Sequence, residues 1–172
     1  MGARRNFSGG FVLIRWVTAS LCLFACTAVP EPEPESAEAV LAVIDRCFDG
    51  MASHDSTLLA ASVLPEAVIT RLRTRSDGSV DVYTTTGADF VREISRPGPA
   101  YRERIWSPQV IAGEQLASVR APYDFRVDTA FSHCGVDHFT LIRGNTGWMI
   151  QSIAYTHDLT DAAACRARYA TP

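Results

Sequence analysis

The chain contains no lysine: all sixteen basic residues among its 172 are arginine. We read that as coding composition, and it assigns no function. Nor is there a basic face. The formal net charge is −3, which argues against nucleic acid as a partner. None of the five cysteines has CxxC spacing, so a zinc site is not expected, and no other metal or cofactor is implied. An unbroken apolar run is missing as well. The one hydrophobic stretch, FVLIRWVTASLCLFAC, carries Arg15 inside it and makes a poor membrane-spanning helix. No segment repeats.

What is present is material for one well-buried domain: 172 residues, 47% hydrophobic, with ordinary aromatic and charged content. The N-terminus reads as targeting. MGARRNF supplies a positive start and the apolar stretch follows it. Arg4-Arg5 with Phe7 partly resembles a twin-arginine signal. The end, LFAC, resembles a bacterial lipoprotein box with Cys26 as the acylated residue; Phe24 is bulkier than that position usually holds. Three outcomes stay open: lipidation at Cys26, cleavage after Ala28, or an uncleaved anchor. Each exports the domain to the cell envelope. The segment TAVPEPEPESAE alternates proline and glutamate, cannot form a core, and serves as a tether. The expected division is therefore 1–26 anchor, 27–36 linker and 37–172 folded domain.

Within that domain, Ser36 caps a first helix on which Val40, Ile44, Cys47, Phe48 and Met51 recur at three and four residues. A second short helix, STLLAASVL, is expected to stop at Pro65. The period then changes to two. AVITRLRT and VDVYTT form a hairpin around SDGS. Thr86 and Asp89 resemble a capping box opening a third helix that carries Phe90, Val91 and Ile94. Four long alternating strands follow: YRERIWSPQVI, QLASVRAPYDFRV, AFSHCGVDHFTLIR and WMIQSIAYTH, joined by short turns as an antiparallel meander. DLTDAAACRARY makes a tail helix. The expected fold class is α+β: a cone-shaped, curved antiparallel sheet, a four-strand meander plus a hairpin, packed on three N-terminal-side helices and enclosing a pocket.

The element order, the YRERIWSP strand and the pair FSHCGVDHFTLIR and GWMIQSIAYT together resemble the nuclear transport factor 2-like superfamily, in its lumazine-binding-like and SnoaL-like (polyketide-cyclase-like) branch. The resemblance covers about Ala37 to His157, and Gly147-Trp148 followed by Ile150 is its specific part. It implies a pocket between sheet and helices, with the Trp-x-Ile face toward the helices. It implies no single reaction, since the superfamily holds isomerases, dehydratases, epoxide hydrolases and many non-enzymatic domains. Members commonly pair through the exposed sheet face, where Val136, Thr140 and Ile142 would suit a homodimer.

Alternation then assigns the strand FSHCGVDHF. His133, Gly135, Asp137, Phe139 and Leu141 share one face, and Cys134, Val136, His138, Thr140 and Ile142 the other. The large apolar members put the first set inside. His133 and Asp137 stand roughly 13 Å apart by strand rise, too far to act as a pair without partners from other elements. On the preceding strand Val119, Ala121, Tyr123 and Phe125 suit burial, with the phenol of Tyr123 as a polar handle. On the last strand Trp148, Ile150, Ser152, Ala154 and Thr156 go together. Tyr101, Glu103 and Ile105 alternate with Arg102, Arg104 and Trp106, and either set can face in. The expected pocket lining is Phe139, Trp148, Phe125 and Ile150. His138 is expected to face outward and His54 to lie at the surface. Of the domain cysteines, Cys47 and Cys165 are expected to pair, with Cys134 competing.

Two functions follow. The first is a non-enzymatic exported domain that binds a small apolar molecule or an envelope protein. The second is a pocket enzyme doing acid/base chemistry of the isomerase, dehydratase or cyclase type with Asp137, His133 and Tyr123, on the logic of a carboxyl kept neutral by a dry pocket. The anchor assignment has a direct test. Cys26→Ser should shift the protein from the membrane to the soluble fraction of fractionated cells; an unchanged membrane fraction would overturn lipidation at Cys26.

Overall fold

The computed structural model describes residue 2, residues 34–158 and residues 160–169. Cys26, the expected lipidation site, and the expected linker up to residue 33 lie outside the described residues.

Helix α1 spans Pro34–Ser53. Val40, Val43, Ile44, Cys47, Phe48 and Met51 form its buried stripe, at the spacing that puts them on one face. Ser53 Oγ bonds back to the Asp49 carbonyl, and His54 leaves the helix with φ 56°. The side chain of Asp55 caps α2 (Ser56–Ala60) by accepting from the N–H groups of Thr57 and Leu58. The ring of His54 reaches away from this turn to the carbonyls of Ile94 and Pro99, tying it to the end of α3 (Gly87–Ile94). Thr86 caps α3 through the Asp89 N–H, as its sequence indicates.

Strand β1 runs Val63–Thr74 and pairs antiparallel with β2 (Val80–Thr86). Pro65 therefore does not end α2; it lies inside a strand. It is tolerated there because β2 pairs only from Val68 onward, and because the register of β1 on its other neighbour shifts between Val63 and Val68. No regular ladder asks Pro65 for a donor.

The stretch YRERIWSPQVI is two strands, β3 (Tyr101–Ile105) and β4 (Gln109–Ala112), both antiparallel to β5 (Leu116–Val127). Ser107 between them has φ 45°. Pro122 of β5 sits opposite this interruption. Its carbonyl accepts from Trp106 N–H, and its missing donor faces a gap, not a ladder. β6 (Ala130–Gly144) and β7 (Gly147–Thr156) complete the meander. The sheet order is β2-β1-β7-β6-β5-β3, with β4 also on β5. The sheet is mixed: β1 runs parallel to β7. The wholly antiparallel sheet expected from the hairpin and meander is corrected at that seam. The curved sheet stays open at β2 and β3.

Helices α1, α2 and α3 cover one side of the sheet. There Phe139, Leu141, Ile150 and Val119 are almost fully buried against the α1 stripe, each contributing about 1.5–3 kcal/mol. The ring of Phe48 meets that of Phe139 edge-on at 6.2 Å. The short helix α4 (Ala162–Tyr169) lies on the opposite side, joined to β6 by a Cys134–Cys165 disulfide with Cα atoms 6.2 Å apart. This corrects the expected Cys47–Cys165 pair. Cys47 is buried and free on the α1 side, so the sheet separates it from Cys165, while Cys134 points outward toward α4.

Candidate functional site

Asp137 lies midway along β6 on the helix-facing side, between Ala121 of β5 and Tyr155 of β7. It is 1% exposed. Glu103 approaches Asp137 from β3, one strand further on, where it pairs with Phe125 of β5. The structure thus resolves which side of β3 faces in. Tyr101, Glu103 and Ile105 are half-buried and face the helices, while Arg102 and Arg104 are exposed. Arg104 grips Asp124 on the outer side, its Nε and Nη2 at 2.8 and 2.6 Å from the carboxylate oxygens.

Glu103 and Asp137 lie close enough for each to shift the titration of the other. Burial raises the Asp137 carboxyl well above its ordinary range, and Glu103 adds to this. Burial also pushes Glu103 up, to about 7, against the lowering effect of Asp137. Near neutrality the pair holds a proton that ordinary exposed carboxylates would have lost. Asp137 Oδ2 is buried with no hydrogen-bond partner. Neighbouring groups register the same field. Burial, then Glu103, pushes Tyr155 up to about 12 and raises the phenol of Tyr123 further. The free Cys47 thiol is raised by burial and then by both carboxyls, so it is a neutral packing group and no nucleophile.

The Tyr123 hydroxyl and His133 Nδ1 are hydrogen-bonded to groups other than Asp137. The Tyr123 hydroxyl donates to the Thr156 carbonyl at 2.9 Å. That carbonyl passes directly over Gly135, where a Cβ would stand only 1.9 Å from it, so Gly135 is required for the close approach. His133 belongs to an aromatic stack. Its ring lies parallel to His157 at 3.8 Å and against Phe125 at 5.0 Å, and its Nδ1 meets Ser132 Oγ at 3.0 Å. Burial first, then His157, Arg71 and Arg73, lowers it to about 4, leaving it neutral at pH 7. His157 is lowered for similar reasons. His138 is exposed, on the outer face.

Of the expected lining residues, Phe139, Ile150 and Trp148 are core packing, at 1%, 0% and 7% exposure. Phe125 alone is half-buried, stacked between His133 and Tyr101. The alternation assumed for the last strand also breaks. A bulge places Leu141 opposite Ile150 but Thr140 opposite Ser152, so Gln151 is an extra residue. Beyond it Ile153 and Tyr155 face the helices in place of Ser152, Ala154 and Thr156. Glu103 and Tyr155 are the members of the site that alternation alone did not find. Among the described residues no group of three His, Cys, Asp or Glu is placed to hold a metal ion.

No family model and no curated protein matches this chain. Solved structures do. A nuclear transport factor 2-like protein of unknown function from Shewanella baltica is 18% identical, aligns over 73% of this chain and 96% of its own, and has a TM-score of 0.52. One with a cystatin-like fold from Novosphingobium aromaticivorans is 16% identical over 77% and 88%, with a TM-score of 0.55. A protein of unknown function from Mycobacterium tuberculosis is 13% identical over 81% and 99%, with a TM-score of 0.59. At these identities the likeness establishes the fold, nuclear transport factor 2-like and cystatin-like, and nothing further.

The coupled pair predicts a pH signature. Carboxyls whose folded pKa is raised bind more protons folded than unfolded. Their stabilising contribution is complete below the ordinary carboxyl range and is lost as pH rises through about 7. His133, lowered to about 4, works the other way between about pH 4 and 6.5. Comparing wild type with Asp137→Asn cancels the histidine contribution. The variant should gain on wild type as pH rises from about 5 to 8, by on the order of 1–3 kcal/mol in denaturant unfolding. Parallel stability profiles would show that Asp137 does not share a proton.

Proposed function

We propose that this chain is an exported small-molecule-binding domain whose ligand is anchored by the Glu103–Asp137 pair. The observation that carries the reading is the buried, unpartnered Oδ2 of Asp137 in a pair that keeps a proton near neutrality. A buried polar atom without a partner is costly, and a ligand hydroxyl or N–H would relieve it. The surroundings, with Phe125, Tyr155 and the α1 stripe nearby, suit a ligand that is otherwise apolar. Export is supported by the Cys134–Cys165 disulfide, which persists in oxidising compartments. It agrees with a Pro-Glu tether behind an N-terminal anchor at Cys26. Pairing of two copies through the outer sheet face, where Ile142 is 38% exposed, belongs to the same proposal, as does placement in the lumazine-binding-like or polyketide-cyclase-like branch.

Acid/base catalysis is the second reading, and one observation favours it. A carboxyl raised to about 7, as Glu103 is, can both give and take a proton at working pH. It would act with Asp137, not with His133.

Calorimetric titration with 2-naphthol and with naphthalene separates ligand anchoring from plain hydrophobic uptake. Wild type should bind the naphthol about 10-fold or more tighter, the value of a hydrogen bond to a buried carboxyl group, and Asp137→Leu should abolish the difference. Equal affinities in wild type, or no binding of either, would overturn the reading. Catalysis predicts in addition that the protein accelerates exchange of the α-hydrogens of 2-tetralone in D2O, with the acceleration lost in Asp137→Asn.

A further inference from the structure

A cleft of about 470 Å³ opens on the outer side of the sheet, between α4 and strands β3, β5 and β6. It is remote from the carboxyl pair, with the sheet between them. Its α4 wall is fixed at two points. Cys165 is covalently bound to Cys134 of β6, and Trp106 Nε1 donates to the Tyr169 carbonyl at 2.6 Å. The Tyr169 hydroxyl is bonded in turn to Asp158. A short helix with little apolar surface of its own is thus held over the sheet by attachments at its middle and its end, leaving a gap beneath.

The chemistry of the gap is lopsided. Three guanidinium groups line it, from Arg104, Arg126 and Arg166, against one carboxylate, Asp124. Arg104 takes Asp124 in a bidentate fork. Arg126 makes a longer ion pair, 3.7 Å, with the same carboxylate and donates from Nη1 to the Thr129 carbonyl at 3.3 Å, and Arg166 makes no ion pair among the described residues. Asp161, at the start of α4, caps the helix by accepting from the Ala164 N–H at 2.7 Å and is not part of the lining. The cleft therefore carries two surplus positive charges in a chain whose net charge is −3. Its remaining surface includes the flat rings of Trp106 and Phe131, both partly buried. Two planar cation forks beside aromatic faces match a planar anion attached to a flat apolar body, and the volume lies in the range of small-molecule sites.

We propose that this cleft is a second binding site, for a small aromatic carboxylate. Its carboxylate is held by Arg126 and Arg166 and its ring rests against Trp106 and Phe131. The proposal is independent of the function assigned to Glu103 and Asp137.

The test uses 2-naphthoate on the full chain, read by calorimetry and by the indole N–H resonance of Trp106 in nitrogen-15 spectra. Naphthoate should bind and shift that resonance. 2-Naphthamide, neutral and of the same shape, should bind at least about 10-fold more weakly, as loss of a charge-assisted contact implies. Arg126→Gln and Arg166→Gln should each weaken naphthoate several-fold; both side chains reach solvent, and Arg166→Gln alone keeps the test valid if Arg126→Gln fails to fold. Asp137→Asn should leave naphthoate affinity unchanged. The proposal is overturned if the Trp106 resonance does not move, if naphthamide binds as well as naphthoate, or if affinity follows Asp137 and not the arginines. Inorganic phosphate reproducing both the shift and the affinity would also overturn it, since the cleft would then read charge alone.

Discussion

Two carboxyl groups brought together in a dry space cannot both be ionised, so one proton has to stay with them. The pair Glu103 and Asp137 imposes that constraint on the helix-facing side of the sheet, and the surrounding residues are consistent with it. β3 brings Glu103 to its partner across one intervening strand, β5. Tyr155 and Cys47, next to the pair, are held neutral by burial and by the carboxyls themselves. Tyr123 turns its hydroxyl to the Thr156 carbonyl and leaves Asp137 Oδ2 without a partner. Buried polarity of this kind is costly in a domain of this size. Its position at the centre of the sheet, beside the apolar stripe of α1, is the feature on which the proposed binding function rests.

The two sides of the sheet are stabilised by different means. On the α1 side, hydrophobic burial does the work: Phe139, Leu141, Ile150 and Val119 meet Val40, Ile44 and Phe48 in one contiguous core. On the α4 side little apolar area is available. A disulfide, an indole hydrogen bond and the Arg104–Asp124 fork take its place. A covalent tie closing a loop of this length adds about 3–4 kcal/mol in the chain-entropy model. That is enough to hold a helix that would be marginal in isolation. The cleft beneath α4 is the residue of this arrangement, a space spanned but not filled.

Most of the architecture was legible from periodicity and capping. The three-and-four spacing of α1, the Thr86 cap and the alternation of β6 placed each element and turned Asp137 inward. What escaped was set by contacts distant in sequence. The parallel seam of β1 on β7 joins the first strand to the last, and no local pattern encodes it. Glu103 lies on a strand whose two faces are comparably amphipathic, and only the structure shows Arg104 pairing with Asp124 on the other side. Tyr155 was hidden by one extra residue, Gln151, which reverses the alternation of β7 beyond it. The cysteine pairing followed the side on which α4 docks, and helix amphipathicity gave no guidance there, because a tail rich in Ala and Arg presents no apolar stripe. Phe139, Trp148 and Ile150 face inward as alternation indicates, but inward in this fold means the core before it means a cavity.

Carbon-13 titration of the side-chain carboxyls of Glu103 and Asp137, followed by NMR across the pH range, tests the shared proton most directly. At least one of the two resonances should titrate near or above pH 7, with the second carboxyl responding to the same event, as a coupled pair requires. Two independent transitions in the ordinary carboxylate range, between about pH 3 and 5, would contradict the account.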